Sequence, residues 1–116
     1  MLRLGTDTRV FLCTEPTDMR KSFNGLAAAT TSIIGHNPTS GHLFVFVNRK
    51  RDMAKILYFE RGGFCLWAKR LEQGCFATIN CAASAAQLSD TQLMMWLDGI
   101  TLDRAQATRF SLSKAA

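Results

Sequence analysis

The sequence lacks the long apolar segments that place proteins in or across a membrane. Its longest uncharged strand-like run, Leu43 to Val47, is far shorter than the roughly 20 residues of a transmembrane helix. The N-terminal residues also lack the apolar core and the cleavage site of a signal peptide. These absences predict a cytoplasmic protein with no membrane association.

The paired ligands of a metal site are missing as well. The four cysteines are Cys13, Cys65, Cys75 and Cys81. None of them forms a Cys-x-x-Cys pair, and His36 and His42 lie far from them along the chain. Structural zinc sites use closely spaced pairs of ligands, so neither a metal nor a cofactor is expected. The cysteines are interpreted as free thiols in a reducing compartment.

Patterns that identify enzymes are also absent. There is no glycine-rich phosphate loop and no HExxH motif. A two-metal nuclease or a DDE-type transposase needs several carboxylates at one site, whereas the nine acidic residues here are scattered among basic neighbours. We therefore expect a non-catalytic protein, with a small nuclease as the remaining enzymatic alternative.

What the sequence does have is an excess of positive charge. The formal net charge is +5, and the surplus lies mainly between residues 17 and 72. The densest cluster is Arg49, Lys50 and Arg51, between two apolar segments. This distribution favours an acidic partner such as DNA. The alternative for the cluster is a turn that charge keeps soluble.

Hydrophobic patterning predicts one α+β domain over residues 1–102 and a flexible tail over residues 103–116. An antiparallel meander sheet of four to five strands is expected because the connections between the apolar segments are short. The predicted strands span residues 10–13, 43–47, 54–60, 65–71 and, as a further candidate, 76–79. Residues 80–87 are predicted to be irregular or weakly helical.

Two helices are expected to pack on this sheet. A long helix is predicted over residues 18–34, with Gly35 as its stop. A shorter C-terminal helix is predicted over residues 90–97, ending at Gly99. Its start is marked by the capping box Ser89-Asp-Thr-Gln92.

An assumed strand register places two lysines together on one face. If the turn over residues 60–64 joins its strands symmetrically, Lys55 faces Lys69 across the sheet, next to Trp67. Facing cations are destabilising unless a carboxylate or a phosphate neutralises them. Aromatic rings between cations can bind nucleic acid, although core packing with snorkelling lysines is the alternative. The opposite, aliphatic face is predicted to carry the long helix.

Three segments, in this order, resemble a known family. They are TDMRKSFNGLAA (17–28), SGHLFVFVNRKRDMAKILYFERGGFCLWAKRLEQG (40–74) and LSDTQLMMWLDGI (88–100). They are similar to the second-frame proteins of the bacterial insertion-sequence family numbered sixty-six. Those proteins are often labelled TnpB or Orf2-like and are unrelated to the RNA-guided nuclease called TnpB. This chain departs from the family pattern at Cys75, where a basic residue is usual, and over residues 77–86.

The resemblance implies an accessory protein of transposition, encoded beside a separate DDE transposase. We expect a DNA-binding factor whose surface contains Arg20, Lys21, Arg49, Lys50, Arg51, Lys55, Lys69 and Arg70 as phosphate contacts and Trp67 as a stacking partner. Lys55 and Lys69 also match the family pattern. The alternative is an adaptor that binds the transposase or a companion accessory protein, with little direct DNA binding.

Overall fold

Five strands form one mixed sheet in the order β4-β3-β2-β1-β5. This is a computed structural model, and it describes residues 5–79 and 81–100. The strands are β1 (Val10–Cys13), β2 (Leu43–Val47), β3 (Met53–Glu60), β4 (Gly63–Arg70) and β5 (Ala85–Leu88). The antiparallel pairing of β2, β3 and β4 confirms that part of the meander. The full sheet differs from it because β1 is parallel to β2 and antiparallel to β5.

The parallel pairing of β1 and β2 requires a crossover, and a helical segment supplies it. Helix α1 (Phe23–Ala29) continues as a π-helical turn (Thr30–Ile34). The hydroxyl of Thr30 donates to the carbonyl of Leu26 at 2.8 Å, a contact that often bends helices. Gly35 ends the segment with a φ of 81°, which confirms the predicted stop.

The start of this helix is four to five residues later than predicted. Asp18 was expected to begin it, but the Asp18 carboxylate accepts the backbone N–H of Arg20 at 2.9 Å and folds residues 18–20 into a turn. Local hydrogen bonds of aspartate commonly compete with helix formation in this way. Arg20 and Lys21 therefore lie in the connection before α1, outside the helix.

The two faces of the sheet are covered by different helices. Helix α1 packs against the face that carries Phe44 and Phe46. Helix α2 (Asp90–Asp98) packs against the face that carries Val45 and Ile56. The prediction that the long helix covers the aliphatic face is therefore wrong. Both faces are apolar at the central strands, so hydrophobicity does not distinguish them.

The register prediction is confirmed for one hairpin and wrong for the next. Phe46 faces Lys55 across β2 and β3, as predicted. Across β3 and β4, however, Lys55 faces Ala68, and Lys69 faces Ala54. A shift of one residue moves each side chain of β4 to the other face, so the two lysines lie on opposite faces of the sheet.

The cause of this shift is the tight turn between β3 and β4. Arg61 and Gly62 have φ angles of 51° and 81°, and Glu60 pairs directly with Gly63. Positive φ at both central residues is typical of a two-residue type I′ hairpin turn. The prediction assumed one more residue in the connection.

Two further segments depart from the predicted strands. Residues 76–79 form no strand, although Phe76 and Ala77 are buried beneath α2. The segment predicted to be irregular instead provides β5, whose Leu88 pairs with Val10. Pairing with β1 stabilises this alanine-rich strand despite its low intrinsic β propensity.

Helix α2 begins and ends at the predicted positions to within one residue. The Ser89 hydroxyl accepts the N–H of Gln92 at 3.1 Å, and the Gln92 amide oxygen accepts the N–H of Ser89 at 2.8 Å. This reciprocal pair confirms the capping box. At the other end Gly99 has a φ of 73°, and a Cβ built there would lie 2.6 Å from Leu71.

The predicted tail over residues 103–116, and the predicted domain end at residue 102, lie outside the described residues. Within the described part of the chain, neither helical segment has the length and apolar character needed to cross a membrane. The same residues contain no group of three or more His, Cys, Asp or Glu side chains arranged to hold a metal ion.

Candidate nucleic-acid interface

Most of the predicted cations gather at one end of the sheet. The loop after β2 carries Arg49 to Arg51, the connection after β1 carries Arg20 and Lys21, and β4 ends at Arg70. Between these segments lies an open cleft of about 650 Å³, which we call the basic cleft. Its lining comprises Pro16, Thr17, Asp18, Met19, Asn48, Arg49, Lys50, Asp52, Met53 and Arg70.

The side chain of Asn48 organises the loop that carries the cationic cluster. Its amide oxygen accepts the backbone N–H groups of Asp52 and Met53, both at 3.1 Å. Its amide nitrogen donates to the Asp52 carboxylate at 2.7 Å. Sequence reasoning missed Asn48, although an asparagine directly after a strand is a known turn former. Arg49 and Lys50 are thus exposed on a loop of fixed shape.

Backbone hydrogen bonds fasten this loop to its neighbours. The N–H of Leu71 donates to the carbonyl of Asp52 at 2.7 Å, and the N–H of Phe76 donates to the carbonyl of Arg51 at 2.7 Å. On the other side, the N–H of Thr17 donates to the carbonyl of Val47 at 2.9 Å. The cations of the cleft therefore project from segments that are held together before any partner binds.

Two of the cations at this end, Arg20 and Arg70, form exposed ion pairs with carboxylates. The guanidinium of Arg20 approaches the Asp18 carboxylate at 2.6 Å. Hydrogen bonds from the side chain and the backbone N–H of Arg20 hold the pKa of Asp18 at about 2. Arg70 pairs with Glu72 at 3.4 Å. Exposed pairs of this kind contribute little stability, so a phosphate can replace the carboxylate.

Within the described part of the chain, no carboxylate forms an ion pair with three other exposed cations of this end. These cations are Lys21, Arg49 and Lys50. Arg51 is half-buried and has a φ of 60°.

The ammonium of Lys55 is bound to the protein backbone. It donates to the carbonyl of Met19 at 2.8 Å and to that of Lys21 at 2.9 Å. These bonds join β3 to the connection after β1, which forms one wall of the basic cleft. The predicted phosphate site between Lys55 and Lys69 is not formed, because the two side chains lie on opposite faces.

Lys69 has a comparable structural contact on the α2 face. Its ammonium donates to the carbonyl of Leu97 at 2.8 Å, in the last turn of α2. A cation there satisfies an unpaired carbonyl and interacts favourably with the helix dipole. Lys69 thus connects β4 to the C-terminal helix.

Comparison with known proteins gives the family. The family model described as IS66 Orf2 like protein matches residues 8–107. The chain belongs to the IS66 Orf2-like family.

Two similar proteins come from Sinorhizobium fredii (strain NBRC 101917 / NGR234), and both bear the name "Uncharacterized protein". The first, y4hO, is 36% identical over 108 residues, which cover 93% of this chain and 94% of the relative. The second, y4jC, is 29% identical over 98 residues, covering 84% of each. No solved structure matches the chain.

Family membership confirms the resemblance and makes this an insertion-sequence-associated protein. Lys55 and Lys69 have structural roles as donors to backbone carbonyls. Cys75, where the resemblance implies a basic residue, has a buried side chain, and its backbone pairs with Ile100 through two hydrogen bonds of 2.8 Å. Cys75 therefore contributes nothing to the basic surface.

Trp67 lies apart from the basic cleft of this IS66 Orf2-like protein. It faces Ile56 across the sheet and packs, half-buried, against the core beneath α2. Neither this position nor Lys69 lines the cleft. Among the predicted cations, Arg49, Lys50 and Arg70 line the cleft. Arg20, Lys21 and Arg51 lie on the segments that flank it, whereas Lys55 and Lys69 are bound to backbone carbonyls.

Proposed function

We propose that this IS66 Orf2-like protein is a non-catalytic accessory factor of transposition that binds DNA through the basic cleft. The observation that carries the proposal is the position of Arg49 and Lys50 in the cleft lining and of Lys21 beside it, without ion-pair partners among the described residues. Phosphate contacts from lysine and arginine supply most of the affinity of sequence-independent DNA binding. Cations on a hydrogen-bonded scaffold lose less freedom when they make such contacts.

The number of available cations sets the expected salt dependence. Arg51, next to Lys50 in the loop, can add a contact, and Arg20 and Arg70 can exchange their carboxylate partners for phosphates. About four to six phosphate contacts correspond to a log–log slope of affinity against salt of about −4 to −5 for duplex DNA.

The experiment compares two variants with the same change in net charge. The test variant combines Arg49→Gln with Lys50→Gln. The control combines Arg9→Gln, just before β1, with Arg61→Asn in the β3–β4 turn. Both lie at the opposite end of the sheet, and the eight residues of β3 place Arg61 about 25 Å away. Asparagine suits the positive φ of Arg61.

Each protein is titrated with terminal-repeat and random duplexes across a salt series. We expect the test variant to bind both duplexes more weakly, with a slope shallower by about 2, because two phosphate contacts are lost. The control variant should retain most of the affinity of the unmodified protein. Equal losses in both variants would show that only net charge matters, and a flat salt response of the unmodified protein would reject DNA binding.

An adaptor function remains the second candidate because α2 presents two large apolar side chains to solvent. Met94 is 59% exposed and Met95 is 54% exposed. Methionine is common on adaptable protein-binding surfaces. If this candidate is correct, the paired substitutions Met94→Gln and Met95→Gln abolish co-elution with the element's transposase, while DNA binding is absent or unchanged.

A further inference from the structure

A second, smaller pocket opens beside the basic cleft. Its volume is about 280 Å³, and it lies at the carboxyl ends of the parallel strands β1 and β2. Most of its walls are apolar and consist of Leu12, Val47, Ala77, Ile79 and Trp96. Arg49 and Arg51 also line it, and Arg49 lines the basic cleft as well. The exposed Arg49 thus lies where the two cavities meet.

The walls of this pocket are held in place by hydrogen bonds. The indole N–H of Trp96 donates to the carbonyl of Ala77 at 2.9 Å. The Arg51 and Val47 carbonyls accept the N–H groups of Phe76 and Thr17, as described above. The pocket therefore exists without a ligand, as small-molecule sites usually do.

The uncharged polar side chains in the lining are Thr14, Asn48 and Thr78. Asn48 is engaged within its loop, and the Thr14 hydroxyl donates to the carbonyl of Ala83 at 2.8 Å. The interior offers mainly apolar contact, and the lining also contains two arginines, Arg49 and Arg51. This combination fits a ligand with one apolar, flat part and one anionic part.

The size of the pocket narrows the class of ligand. Its volume is just below the roughly 300 to 1,000 Å³ of pockets for drug-sized ligands, which suits a single ring system. Arginine guanidinium groups also stack on bases and bind phosphates. Because Arg49 lines both cavities, one part of a DNA strand can reach the pocket while the adjoining phosphates stay on Arg49 and Arg51.

We propose that the pocket receives one unstacked nucleobase of single-stranded or locally opened DNA, with the adjoining phosphates on Arg49 and Arg51. The inference rests on the proposed function, since the basic cleft has to hold the strand. Single-stranded DNA is the preferred ligand because its bases are already unpaired, whereas a duplex must first be opened. Little preference among bases is expected, because the walls recognise them by contact.

The test uses Val47→Phe, which places a ring in the space of the pocket, and Val47→Thr, which keeps the side-chain shape and leaves the pocket open. Binding of oligothymidylate and of a duplex of equal length is measured by fluorescence anisotropy at one salt concentration. Val47→Phe should weaken oligothymidylate binding by about tenfold, the loss of one base contact, and leave duplex affinity unchanged. Val47→Thr should weaken oligothymidylate binding far less than Val47→Phe does, because the pocket stays open.

A second measurement does not depend on any variant. A single strand containing 2-aminopurine should change its emission when the unmodified protein binds, because a base leaves the stack and enters the pocket. Unchanged emission would overturn the inference even if Val47→Phe failed to fold.

The remaining outcomes separate this inference from the proposed function. Equal effects of Val47→Phe on both DNAs, or none, would overturn base insertion while duplex binding by the cleft still stood. Absence of all DNA binding would overturn both. If Val47→Phe released the transposase and left DNA affinity unchanged, the pocket would be a site for a protein side chain, and base insertion would be rejected.

Discussion

Lys55 provides the clearest test of whether a lysine of the sheet stabilises the fold or contacts DNA. Its ammonium is bound to the carbonyls of Met19 and Lys21, so we expect Lys55→Met to destabilise the fold while leaving the exposed cations in place. Hydrogen bonds that involve a charged group contribute about 1.5 to 3 kcal/mol each. Methionine retains the length of the aliphatic stem, and water can solvate the more exposed carbonyl, which lowers the sum. The expected loss is about 2 to 3 kcal/mol of unfolding free energy.

The assay is urea denaturation, with thermal melting as a second measurement. A loss of this size corresponds to a Tm about 10 °C lower for a domain of this length. Lys50→Met is the matched control, because Lys50 is exposed on the same sheet end and its change should stay within about 0.5 kcal/mol. The reasoning is refuted if Lys55→Met is as stable as the unmodified protein but loses DNA affinity, since Lys55 would then contact DNA.

Three further predictions concern local structure. Because its pKa is near 2, the Asp18 carboxylate should titrate by NMR well below the usual value of 3.8, and Arg20→Gln should raise that midpoint. The ion pair's contribution to stability is present above pH 4 and is lost as the pH falls through 2. An unchanged midpoint in the variant would contradict the ion pair. Ser89→Ala removes half of the capping box and should cost about 1 kcal/mol in urea denaturation, whereas no loss would mean that packing alone sets the start of α2. Gly99→Ala should lower the Tm clearly more than Gly62→Ala, because Gly99 combines a φ of 73° with a ψ of 176°, a region essentially restricted to glycine, and a Cβ there would also meet Leu71. Equal effects would contradict this backbone strain.

The sequence was sufficient for elements that local signals define. Alternating and continuous apolar segments located β1 to β4, and the capping box located α2, because these depend on neighbouring residues. The sequence was insufficient for β5, whose alanine-rich residues become a strand only by pairing with β1. It was also insufficient for the β3–β4 register, because Arg61-Gly-Gly63 permits turns of two or three residues, and the difference of one residue exchanges the faces.

The dependence on strand register also explains which candidate site residues lie where the sequence predicted them. Arg49 and Lys50 lie in a loop, so their exposure does not depend on strand register. Lys55 and Lys69 lie on strands of a sheet that is covered on both faces, where a half-buried ammonium needs acceptors inside the protein. Lys55 finds them in the connection that precedes α1, and Lys69 finds one in the last turn of α2. A cation in such a strand therefore indicates contact with a covering segment, and a cation in the adjoining loop is the better candidate for contact with DNA.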